Sequence, residues 1–223
     1  MLFRSGYFLE QRESNASEFD MNLLRRGEYV MELEERYKLF GRPGKLRIIP
    51  WLNSVFAGSY RETLDNPALD LDIAQTRKSR IKYGYAVTLE QEVADGVGVF
   101  GRWSWNDGHN EIMAFTDIDR SLAGGVSIKG NSWGRKNDTI GIGGAINGLS
   151  PDHRDFIAAG GLGPLIGDGA LNYRRERIFE TYYAYALNKQ ITLTADYQFI
   201  VNPAYNADRG PVSIFSGRFH AEF

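Results

Sequence analysis

The chain has 223 residues, a formal net charge of -2, and is 43% hydrophobic and 13% aromatic, which is enough apolar material for one folded domain and too little positive field for a nucleic-acid partner. The absence of cysteine excludes disulfides, thiolate metal sites and a Cys nucleophile. Twenty-five glycines and 12 tyrosines favour strands and tight turns over helices, because Gly costs stability inside a helix while aromatics suit pleated surfaces.

Taken in chain order, residues 1–17 carry Arg4, Glu10, Arg12 and Glu13 and lack the apolar run of a secretory signal peptide; residues 2–9 read as a strand. Strands follow at 28–40 and 45–58. Residues 80–92 set Ile81, Tyr83, Tyr85, Val87 and Leu89 against Lys82, Gly84, Ala86, Thr88 and Glu90, and residues 97–106 set Val97, Val99, Trp103 and Trp105 against Arg102, Ser104 and Asn106, with Phe100 as the exception. Further strands are expected at 122–129, 139–147 and 178–187. The clearest spans 190–202, where Ile191, Leu193, Ala195, Tyr197, Phe199 and Val201 alternate with Gln190, Thr192, Thr194, Asp196, Gln198 and Asn202 and only Ile200 breaks the pattern. The last segment repeats it, with Phe215, Gly217, Phe219, Ala221 and Phe223 against Ser216, Arg218, His220 and Glu222. Successive side chains of a strand point to opposite faces, so each segment has one apolar and one polar face.

Connections alternate as well. Short turns at 41–44, 94–96, 131–136 and 188–189 separate longer loops at 11–27, 59–79, 107–120, 148–176 and 203–210, the rhythm of outer-membrane barrels with short turns on one side and long loops on the other. About ten strands of ~10 residues suit tilted membrane strands. The longest nearly uncharged stretch, 156–167, is too short for a membrane helix and is broken by glycines and Pro164. A soluble antiparallel barrel or sandwich also alternates. Against it stand aromatics near the ends of the apolar faces (Trp103, Trp105, Tyr83, Tyr85, Tyr183, Tyr185, Phe219, Phe223), where lipid girdles are expected, and the high charge of the polar faces, which suits a water-filled lumen.

The C-terminal stretch ETYYAYALNKQITLTADYQFIVNPAYNADRGPVSIFSGRFHAEF resembles the ending of the carbohydrate-selective porins of the OprB type. GVFGRWSWNDG at 98–108, FTDIDRSL at 115–122, WGRKNDTIGI at 133–142, NGLSPDHRD at 147–155 and GGLGPLIGDGALNY at 160–173 extend the likeness over nearly the whole chain. The resemblance implies an all-β fold, an antiparallel transmembrane β-barrel of about sixteen strands behind a signal peptide. On that basis residues 1–223 are one porin barrel domain of about ten strands, with N-terminal strands and signal peptide expected to be missing. It further implies location in the bacterial outer membrane, contact with outer-membrane lipid, and handling by the barrel-insertion machinery through the C-terminal strand ending at Phe223. Homo-oligomers are left open.

The function expected is passive diffusion of mono- and small oligosaccharides, with no cofactor, no metal and no enzyme activity. Such a channel needs donors, acceptors and aromatic surface, with weak binding at several points. By strand parity alone the channel-lining candidates are Lys82, Glu90, Arg102, Asp196, Gln198, Arg218, His220 and Glu222; each could equally be solvated wall held in salt bridges. Arg102 and Arg218 are the first choices for a constriction, since a guanidinium offers a flat fork of donors to paired hydroxyls. Asp168, in the glycine-rich run 160–169, is a candidate loop contact to sugar or a turn cap. Gly96 to Gly101 matches G-x-G-x-x-G but enters a strand, not a helix, so it is not a dinucleotide site, and the run 160–169 lacks the Lys-Ser or Lys-Thr of a P-loop. Two alternatives are kept. Ser150 and His153, together in LSPDHRD, suggest a barrel hydrolase, although triads assemble from separate elements and a Ser-Pro-Asp turn explains them as well; a soluble sugar-binding β-domain would bury its Phe and Tyr faces. His109, His153 and His220 lack metal-ligand spacing.

Overall fold

The computed structural model describes residues 1–22, 25–114, 116–164, 166–167 and 169–222. Among them lie ten strands: β1 (Leu2–Phe8), β2 (Gly27–Leu39), β3 (Arg42–Ala57), β4 (Lys78–Ala94), β5 (Val97–Asn106), β6 (Arg120–Gly130), β7 (Arg135–Gly148), β8 (Glu176–Ala186), β9 (Ile191–Val201) and β10 (Val212–Ala221). Two short helices, α1 (Tyr60–Leu64) and α2 (Pro151–Ala158), sit in the long loops. Each strand pairs antiparallel with its sequence neighbours, so one sheet runs in the order β1 to β10, and among the described residues no ladder joins its two edges. No helix among them is long and apolar enough to cross a membrane.

The connections explain the meander. Phe40 and Gly41, both at positive φ (50° and 77°), close β2 onto β3 so that Leu39 faces Arg42; this two-residue geometry matches the twist of its flanking strands. Asp95 and Gly96 join β4 to β5, with a register shift between Glu92 and Ala94. A 3₁₀ turn at Asn131–Trp133 and residues 187–190 make the other short links. The five long loops all leave from the opposite end, as the alternation of connection lengths requires. All ten expected strands are present, their ends shifted by a few residues where ladder bonds continue past the alternating pattern.

Register puts polar positions side by side across the sheet. Glu34 faces Arg47, Arg47 faces Thr88, and Thr88 faces Arg102; one step nearer the short turns, Glu90, Phe100, Gly125, Gly143, Glu180 and Gln198 form a row. The opposite face carries Ile81, Tyr83, Leu89, Trp103, Leu122, Phe179, Leu193 and Phe219, all exposed. In water each such side chain would forgo about 1.5–3 kcal/mol of burial. The main buried apolar cluster lies elsewhere, in the loops: Tyr60, Leu149, Phe156, Ile157, Ile166 and Tyr205. Among the described residues the sheet therefore has no dry core under its apolar face, and a soluble β-domain that buries its Phe and Tyr faces is not supported.

Candidate functional site: a roofed polar wall

The loops fold over the polar face. Lys82, buried on β4, donates from Nζ to the carbonyls of Asn110 (2.9 Å) and Glu111 (2.6 Å), pinning the segment between β5 and β6 against the wall. Glu111 clasps the loop between β3 and β4, accepting from Gly58 N at 2.7 Å and from Arg77 Nε and Nη2 at 2.7 and 3.1 Å. Arg77 also reaches Glu13 Oε2 at 2.9 Å, and Ser14 Oγ donates to the carbonyl of Ile112. Ser59 N-caps α1 and Ser150 N-caps α2; Arg61 bridges the two helices by binding Asp152 and Asp155. The roof is thus tied together by charged groups from four loops.

Asp119 holds the centre of this roof. Its Oδ2 accepts from Ser150 N at 2.8 Å and lies 2.9 Å from Nδ1 of the wholly buried His153, whose ring stacks on Tyr60 at 4.4 Å. Burial works against its charge, but the bonds from His153 and Ser150 N prevail and keep the carboxyl below the usual carboxylate range. Glu10, which follows β1 and lines the hollow under the loops, is the reverse case: burial first, then repulsion from Glu28, outweigh the attraction of Lys82 and lift its pKa to about 7. Burial likewise raises Asp107, against the pull of Lys82 and His109.

Beneath the roof the wall carries a chain of ion pairs. Glu34, 2% exposed, accepts from Arg36 Nε at 2.6 Å and Arg47 Nε at 2.8 Å; Arg47 Nη1 reaches Glu90 Oε1 at 2.7 Å, and Lys45 lies 3.3 Å from the other Glu90 oxygen. Two hollows open along this face. One of about 490 Å³ lies under the loops and includes Glu10, Trp51, Lys82 and Arg102. The other, of about 610 Å³, lies toward the short turns and includes Lys45, Glu90, Phe100, Arg102 and Lys129. Arg102 borders both.

The sheet thus carries a polar, ion-paired face under folded loops and an exposed apolar face on its other side. The family model for the carbohydrate-selective porins, OprB family, matches residues 2–223. The chain belongs to that family. No curated protein and no solved structure matches it. The family ties the chain to porins, carbohydrate transport and the outer membrane.

Within this porin the residues singled out by parity fall into separate groups. Glu90 and Arg102 share the hollow toward the short turns. Lys82 is covered by loop backbone, where it holds the roof. Asp196 and Gln198 stand four strands away on β9, Asp196 accepting from Ser216 Oγ at 3.1 Å and Gln198 donating to Glu180 Oε2 at 3.3 Å. Arg218 pairs in register with Thr194, while His220 and Glu222, 3.9 Å apart and exposed, lie at the short-turn end of the edge strand. Asp168 and Phe223 lie outside the described residues. Ser150 and His153 do not form a catalytic pair: Ser150 Oγ donates to Gly108 O at 2.6 Å and accepts from His153 N, while the His153 ring turns to Asp119.

Sequence reasoning passed over Arg47 and Glu34. Both were legible in principle, since Lys45 and Arg47 alternate with Leu46 and Ile48 on β3, and Glu34 shares its parity with Glu32 and Arg36. Trp51, which joins the upper hollow from the same parity, could have been found in the same way.

Proposed function

We propose that this porin is a passive channel for mono- and small oligosaccharides in the bacterial outer membrane. Its ten strands form wall of a β-barrel whose apolar face meets lipid and whose polar face lines the lumen. In hydrocarbon an unpaired sheet edge costs several kcal/mol per backbone group, so the outer edges of β1 and β10 are paired in the membrane, with each other or with further strands. The observation that carries the reading is the inversion of the sheet: exposed Leu122, Phe179, Phe215 and Phe219 outside, and the Arg36–Glu34–Arg47–Glu90 chain inside.

A lumen with both signs of charge at close range replaces the hydration of a neutral polyol without trapping an ion. Arg102, bordering both hollows, is the lumen residue a sugar meets on passing from one to the other. The direction of net flux follows concentration, and no energy coupling or catalysis is involved.

The test uses the protein purified from outer membranes and reconstituted into liposomes. Swelling rates that fall from glucose to a disaccharide to a larger oligosaccharide are expected, with Arg102→Ala weakening that discrimination. Absence of swelling with glucose by the inserted protein would defeat the reading.

A further inference from the structure

Three aromatic side chains on the polar face pack against glycines of the neighbouring strand. A methyl group on Gly84 would come within 2.5 Å of Trp51 Cζ2, one on Gly125 within 2.7 Å of Phe100 Cε1, and one on Gly141 would overlap the ring of Tyr182. Phe100 is 44% exposed, whereas Trp51 and Tyr182 are half-buried. The same packing occurs on the lipid side, where Tyr7 covers Gly27 and Tyr37 covers Gly44; it shields glycine backbone on both faces. What differs on the lumen side is the surroundings.

Trp51 borders the hollow under the loops, together with Arg102. Phe100 borders the hollow toward the short turns, beside Glu90, Arg102 and Lys129, and also a further one of about 320 Å³ that contains Tyr182 and Glu180. Gly84 and Glu90, the register partners of Trp51 and Phe100 on β4, are six residues apart, or roughly 20 Å along the strand. Tyr182 lies one step beyond Phe100, since Gly141 pairs with Tyr182 and Gly143 with Glu180 in the Phe100 row.

We infer that Trp51, Phe100 and Tyr182 are successive stacking platforms for pyranose rings, with Phe100, flanked by Glu90 and Arg102, as the subsite that selects cyclic sugars over acyclic polyols. This rests on the sugar-channel reading. A pyranose presents C–H groups on one ring face and hydroxyls around its rim, so it can lie on Phe100 while the carboxylate accepts from, and the guanidinium donates to, the rim. An open-chain hexitol has as many hydroxyls but no rigid apolar face. Contact with a flat ring is weak enough to allow release.

The test compares liposome swelling by glucose and by sorbitol, using the protein purified from outer membranes. Phe100→Leu keeps apolar bulk over Gly125 and removes the flat ring; Phe100→Tyr keeps the ring; Tyr37→Leu removes a glycine-covering ring from the lipid side. Heat-dependent gel migration confirms a folded barrel in each. The glucose-to-sorbitol ratio is expected to fall about twofold to tenfold in Phe100→Leu, the range set by one aromatic contact, to fall much less in Phe100→Tyr, and to stay at the wild-type value in Tyr37→Leu. An unchanged ratio in folded Phe100→Leu overturns the platform while leaving the porin intact. Failure of the wild type to admit either solute overturns the channel reading itself, and the platform with it.

Discussion

Lys82→Met is the most informative single change. The side chain stays unbranched, though one atom shorter, and loses an ammonium that donates to two loop carbonyls, at 2.9 and 2.6 Å. Hydrogen bonds to a charged group contribute about 1.5–3 kcal/mol each, and a buried carbonyl stripped of its donor adds its own desolvation cost. Some of this is offset because the buried ammonium no longer has to be desolvated, so a net loss on the order of 3 kcal/mol is a fair figure. That lowers the ratio of docked to undocked roof by about a hundredfold, at ~1.4 kcal/mol per decade. Glu111 still binds Arg77 and Gly58 N, so the loop loosens without coming free. In liposomes the variant is expected to admit a trisaccharide faster relative to glucose, with noisier single-channel current and easier proteolysis between β5 and β6. Lys82→Arg, which keeps the charge and donors, is expected to behave more like the wild type. If Lys82→Met leaves the size dependence, the current noise and the proteolysis unchanged, the roof does not depend on this anchor and the reasoning fails.

Two further predictions concern the loops over the polar face. Because the folded state raises Glu10 to about 7, the native fold favours its protonated form, so the stabilising contribution is complete below the ordinary Glu range and is lost as pH rises through about 7. Cation preference in planar bilayers should therefore increase between pH 6 and pH 8, and Glu10→Gln should flatten that change; an equally steep profile in the variant would assign the titration elsewhere. Ser150→Ala removes the cap of α2 and the bond to Gly108 O, costing about 1 kcal/mol or more of local stability. Amide exchange in α2 should quicken while glucose swelling is retained, and any ester hydrolysis abolished by this substitution would revive an enzymatic role.

How much was legible beforehand follows from the physics of strands. Alternation with period two stood out in the segments that became β4, β5, β9 and β10 because each has one apolar and one polar face, and the spacing of turns and loops placed the remaining strand candidates in order without long-range information. The same parity placed Glu90, Arg102, Asp196, Gln198 and Arg218 on the polar face, as the ladders show. Parity says which face a residue takes, and nothing about what covers it. Lys82 therefore read as one more wall residue, whereas loop backbone from some thirty positions further along buries it.

By itself the sequence determined the strand count, the meander, the polar and apolar faces and the family, all set by local periodicity and short connections. Only the tertiary structure decided which charges neutralise one another, as Arg47 does between Glu34 and Glu90, which loops roof the wall, and which rings lie on glycine. Those features arise where segments distant in sequence meet across ladder register, and neither a strand's own alternation nor its composition carries that information.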